Sequence, residues 1–155
     1  MQLQRTAIIL ALATATTLTH AQTSPDAASK ALEDLLLCKP GQLFTRQSAE
    51  RAFVKLGLVK QPTELYGPAK GKSVTVFDAN LLDAAVSTES DQSDLSVRVT
   101  DRSADELAQQ LGIKKQRVNG PSGPEMAYVK NTGKRSRIEV RPNSPRSATI
   151  ECSFH

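Results

Sequence analysis

Asp78 and Asp83, five residues apart, and the denser acidic group of Glu89, Asp91 and Asp94 are the side chains best spaced for acid–base work in this sequence. Two carboxylates act as acid and base when a cleft holds them apart and gives them unlike proton affinities. Asp78 and Asp83 flank a predicted turn, and the second group lies in STESDQSD, whose serines, threonine and glutamine read as a solvated loop. That loop also lacks the central glycine of a calcium-binding register.

Other catalytic sets fail on residue supply. A nucleophile–histidine triad needs an imidazole inside the site. The chain has two histidines, His20 near its start and His155 at its last position. A zinc site lacks ligands for the same reason. The Gly120-Pro121-Ser122-Gly123-Pro124 stretch is no phosphate cradle: its prolines remove backbone donors, and no GK[ST] pattern follows. The expectation is a protein without catalytic residues, metal or other cofactor.

Charge points to binding. Lys130, Lys134, Arg135, Arg137, Arg141 and Arg146 gather in the C-terminal third. Nucleic acid is disfavoured by the scarcity of interleaved aromatics, 4% of the chain. An acidic protein surface, an anionic glycan, the outer face of a membrane and a solvated, aggregation-blocking strand edge remain open readings.

Cys38 and Cys152 are the two cysteines. The first residues give them an oxidising setting. Arg5 precedes the apolar run IILALATA, and Thr19 and Ala21 supply small residues, the layout of a secretory signal peptide spanning 1–21. Cleavage there leaves Gln22–His155, 134 residues with a net charge of about +3. The apolar run is too short to span a bilayer. The expected location is the periplasm, with Cys38 bonded to Cys152.

The elements that must position these groups occur twice. SAERAFVKLGL at Ser48–Leu58 is rewritten as SADELAQQLGI at Ser103–Ile113. Ala49, Ala52, Phe53 and Leu56 in one copy, and Ala104, Leu107, Ala108 and Leu111 in the other, follow helical spacing. Gly57 and Gly112 stop the helices. Ser103 and Glu106 form a capping box, while Thr45 or Ser48 starts the first copy. Turn-rich stretches follow at 62–71 and 119–124. Strands are then expected at 73–77, 81–86 and 95–99, and at 126–130, 135–140 and 148–154. An earlier helix, capped by Ser24 and opened by Pro25, carries the stripe Ala28, Ala31, Leu32, Leu35 and Leu36.

The expected fold is α+β: an N-terminal helix, then two helix-strand-strand-strand repeats, with helices on one face of an antiparallel sheet and one disulfide. It forms a single domain over 22–155, in halves of about 42–100 and 101–155.

This plan resembles the periplasmic immunity proteins of bacterial antagonistic secretion systems, such as type VI secretion. It is similar as well to small periplasmic enzyme inhibitors in the style of the β-lactamase inhibitory protein. The resemblance covers the general plan and carries no specific motif. It implies a protein partner, a secreted toxic effector or envelope hydrolase, with no nucleic acid and no membrane span. Loops and aromatic or arginine side chains favoured at interfaces make Tyr66, Asp78, Asn80, Tyr128, Arg135 and Arg137 the candidate contacts. The other reading is an envelope module that binds peptidoglycan or another anionic ligand through the basic C-terminal strands.

Overall fold

The computed structural model describes residues 25–41, 43–89, 92–120 and 123–155. The expected signal segment, the Ser24 cap, Asp91 and the Pro121-Ser122 tip lie outside them.

Helix α1 runs Pro25–Leu36 and buries Ala28, Leu32 and Leu36, one stripe at helical spacing. Helix α2, Arg46–Lys55, begins earlier than its repeat partner would place it. Thr45 is its cap and Ser48 sits at the third helical position, so Thr45 and Ser48 satisfy each other's backbone reciprocally. Helix α3, Ala104–Leu111, opens as expected: the Ser103 hydroxyl accepts from the Glu106 amide at 3.2 Å, and the Glu106 carboxylate accepts from the Ser103 amide at 2.7 Å. Gly112 closes α3 in the left-handed conformation, and Gly57 adopts φ +78 just beyond α2.

Among the described residues nine strands form one antiparallel sheet: β1 Leu58–Lys60, β2 Tyr66–Pro68, β3 Thr75–Val76, β4 Ala79–Thr88, β5 Ser93–Thr100, β6 Lys114–Gly120, β7 Gly123–Asn131, β8 Ser136–Ser144 and β9 Ser147–Phe154. Their order is β1-β2-β4-β5-β9-β8-β7-β6, with β3 paired to β4 alongside. Five strands thus follow α2 and four follow α3, where three each were expected. The stretch at 62–71, read as turn, supplies β2. The stretch Leu81–Val86 lies wholly in β4. The expected strand at 73–77 shortens to β3, because Phe77 and Asp78 both turn to positive φ and make a two-residue hairpin into β4. The Phe77 amide donates to the Glu33 carboxylate of α1 at 2.7 Å, which ties this turn to the helix layer.

A single hydrophobic cluster draws on both halves. Leu95, Val97 and Val99 of β5, Ile150 of β9, and Ile138 and Val140 of β8 meet Leu32 and Leu36 of α1, Phe53 of α2 and Leu107 of α3. All three helices therefore bury their side chains on the same face of the sheet. Cys38, two residues past α1, is bonded to Cys152 in β9 with Cα atoms 5.3 Å apart. The bond fastens α1 to the middle of the sheet, and both cysteines are fully buried in the cluster.

Candidate functional site

Strand alternation decides what the opposite face carries. With Leu95, Val97 and Val99 inward, β5 turns Asp94, Ser96 and Arg98 outward. The register then places Thr149, Glu151 and Ser153 of β9 beside them, with Arg137, Glu139 and Arg141 of β8 next in line. Asp83 of β4 faces Arg98, and Val129 of β7 faces Glu139. Ala127 and Val129 are buried yet stand outside the helix-side cluster, as side chains on the second face must. Among the described residues, no helix covers this face.

Its charges are held in place. Arg98 donates to the Asp83 carboxylate from Nε at 3.0 Å, and from its Nη2 as well. Arg141 donates from Nε to Glu139 Oε1 at 2.6 Å, and Arg137 Nη2 lies 3.3 Å from Glu139 Oε2. Glu139 thus sits between two guanidiniums of its own strand and is 1% exposed. Burying a carboxylate is costly unless it is paired and hydrogen-bonded. Glu151 stands directly opposite Glu139, and its Oε1 accepts from the Ser153 hydroxyl at 3.1 Å. The result is a polar ladder in which Asp83 and Glu139 are paired with arginines and Glu151 with a hydroxyl, while Asp94 Oδ2 accepts from the Gln92 side-chain amide and its Oδ1 is buried without a partner among the described residues. No group of three or more histidine, cysteine, aspartate or glutamate side chains among the described residues could hold a metal ion.

The six expected contact residues do not form one patch. Arg137 is on the open face. Tyr66 is on the helix side, 8% exposed, with its ring centroid 5.0 Å from that of Phe53. Burial there, with Glu50 nearby, raises the pKa of its phenol. Tyr128 is also on the helix side, half-buried, with Lys115 Nζ 5.3 Å from its ring centroid. Asp78 and Asn80 lie at one end of the sheet, where they are exposed and bonded to Gln110 and Asp101. Arg135 lies at the other end, outside β8, and its Nε donates to the His155 carbonyl. Arg135 and Arg137 do not share a strand, because β8 starts at Ser136 and not at the expected residue 135. Asp83, the other candidate acid, is taken up by Arg98.

Glu139, Glu151, Ser96 and Arg98 were the missed residues. One signal was available: Arg137, Glu139 and Arg141 alternate with Ile138 and Val140, so a strand there must bring the three charges onto one face.

No family model, curated protein or solved structure matches this chain. The described residues contain one disulfide and no helix long and apolar enough to cross a membrane.

Proposed function

We propose that this protein is a periplasmic inhibitor or immunity protein that binds and blocks an envelope-acting enzyme, namely a cell-wall hydrolase, peptidase or lipase. In this reading residues 1–21 direct export, and the two halves descend from one duplicated helix-and-strand unit. The observation that carries it is the helix-free sheet face. Asp83, Arg98, Arg137, Glu139 and Arg141 of that face are held by ion pairs before any partner arrives, and a surface ordered in advance loses less entropy on binding. The disulfide adds to that rigidity.

The rival reading, an anionic ligand held by the basic C-terminal strands, has less support. Arg137 is already paired with Glu139 and Arg135 with the His155 carbonyl.

The test is capture from a periplasmic fraction on the oxidised protein, followed by titration of any captured enzyme's turnover. The expected result is a stoichiometric enzyme whose activity falls to zero at equivalence. Ser96→Arg, a bulky change at the centre of the open face, should weaken that inhibition at least 100-fold. Failure to capture any enzyme, or full inhibition by the Ser96→Arg variant, overturns the proposal.

A further inference from the structure

The sheet has two edges, and they differ. β1 is three residues long and lies against α2. β6 is seven residues long and pairs with β7 alone among the described residues. β7 in turn pairs with β8 only over Tyr128–Asn131. The remainder, Gln116–Gly120 against Gly123–Ala127, is therefore a two-stranded ribbon beyond the main sheet. Along the outer side of β6, alternate residues turn an amide and a carbonyl away from β7. Such a row is a template for another strand.

The side chains flanking that row are basic. Lys114, Lys115 and Arg117 are all exposed. Alternation puts Lys114 on one face of the edge and Lys115 and Arg117 on the other. In sequence, the 114–131 hairpin holds Lys114, Lys115, Arg117 and Lys130 against a single acid, Glu125. A second copy of this chain paired at β6 would set lysine and arginine against their own kind, and like charges directly opposite destabilise a strand pair. An acidic strand meets the opposite situation on both faces at once.

We infer that the β6 edge is a binding site for an extended, acidic segment of a partner protein, taken up as a further strand of the sheet. Main-chain hydrogen bonds to the outward groups of β6 supply the pairing. Carboxylates at alternate positions of the segment share one face and meet Lys115 and Arg117, and an acid at an intervening position meets Lys114. This goes beyond the blocking role proposed above and does not depend on it: enzyme inhibition through the open face with an inert β6 edge overturns only the present inference.

The probe is a capped, fluorescent nine-residue peptide of alternating glutamate and valine, titrated into the oxidised protein. Three controls accompany it: a lysine–valine peptide, a glutamate–proline peptide and free polyglutamate. The expected result is saturable binding of the glutamate–valine peptide alone, with slowed hydrogen exchange at alternate β6 amides. Affinity should fall at least tenfold in Lys115→Glu/Arg117→Glu, both exposed positions, and fall with added salt in the unaltered protein. Equal binding of the glutamate–proline peptide or polyglutamate, with β6 exchange unchanged, overturns the inference in favour of simple polyanion attraction. Absence of binding overturns it as well, as does a dimer of this chain that protects the same amides.

Discussion

Ser96 and Glu151 face each other across the two central strands, β5 and β9, and they are 55 residues apart, the same interval that separates Ser48 from Ser103. Around this pair Leu95 faces Cys152 and Val97 faces Ile150, so the two strands are related by a two-fold axis through the Ser96–Glu151 pair, with Leu95 and Ile150, like Val97 and Cys152, 55 residues apart. The strand order repeats the relation outward, with β4 matched by β8, β2 by β7 and β1 by β6. The sheet is thus approximately two-fold symmetric about one residue pair. The helices that show the repeat in sequence lie on either side of it.

The Cys38–Cys152 bond closes a separation of 114 residues. On the chain-entropy view such a loop stabilises the fold by roughly 3–5 kcal/mol. Reduction, or Cys38→Ala with Cys152→Ala, is expected to lower the unfolding free energy by about that amount. Urea unfolding followed by circular dichroism, with and without reductant, measures it.

Glu139 holds Arg137 and Arg141 together at a buried position. Glu139→Gln keeps the shape and removes the charge. The expected cost is about 2 kcal/mol, in the range of hydrogen bonds to charged groups. Glu64→Gln is a control. Its pair with Lys60 is exposed and screened by solvent, so the change should leave the midpoint almost unmoved. Denaturant midpoints of the two variants give the comparison.

Ser103 caps α3, and Ser103→Ala is expected to cost about 1 kcal/mol. The Ser103 amide and hydroxyl hold the pKa of Glu106 below its ordinary value of 4.5. The unfolded chain therefore takes up a proton first on acidification. The Glu106 contribution is present above pH 4.5 and is lost as pH falls through the lowered folded value. Glu106→Ala should be less stable than the parent at neutral pH, with the difference vanishing in acid. Thermal melts between pH 2 and pH 7 test this.

Tyr66 ionises late because its ring is buried against Phe53. Above pH 10 the unfolded chain gives up this proton while the folded chain keeps it, so stability falls as pH rises from there. Ultraviolet titration of tyrosinate should show a transition above that of free tyrosine. Tyr66→Phe should abolish it. Persistence of the late transition in that variant would refute the assignment.

Much of the architecture was legible because burial leaves a period in the sequence. The stripe Ala28, Leu32, Leu36 and the Ser103–Glu106 box mark helices whose ends and inner faces local chemistry sets. Val97 and Val99, like Ile138 and Val140, sit at the two-residue spacing of half-buried strands. The strand β6, KKQRVNG, escaped notice because an edge strand exposed on both faces has no apolar alternation to display. The strands β1 and β2 are three residues each, too short for a period, and β2 contains the Gly-Pro pair that ordinarily marks a turn.

By itself the sequence determined the α+β class of fold and the pairing of two cysteines, since these follow from residue supply and local periodicity. The tertiary structure alone decided which charges share a surface. Asp83 meets Arg98, and Glu139 meets Glu151, only through strand register, which depends on bulges and turns between distant segments. It also separated the six expected contact residues to two faces and two ends of the sheet. A side chain's type fixes its chemistry, whereas its face and neighbours are set by which strand lies beside it.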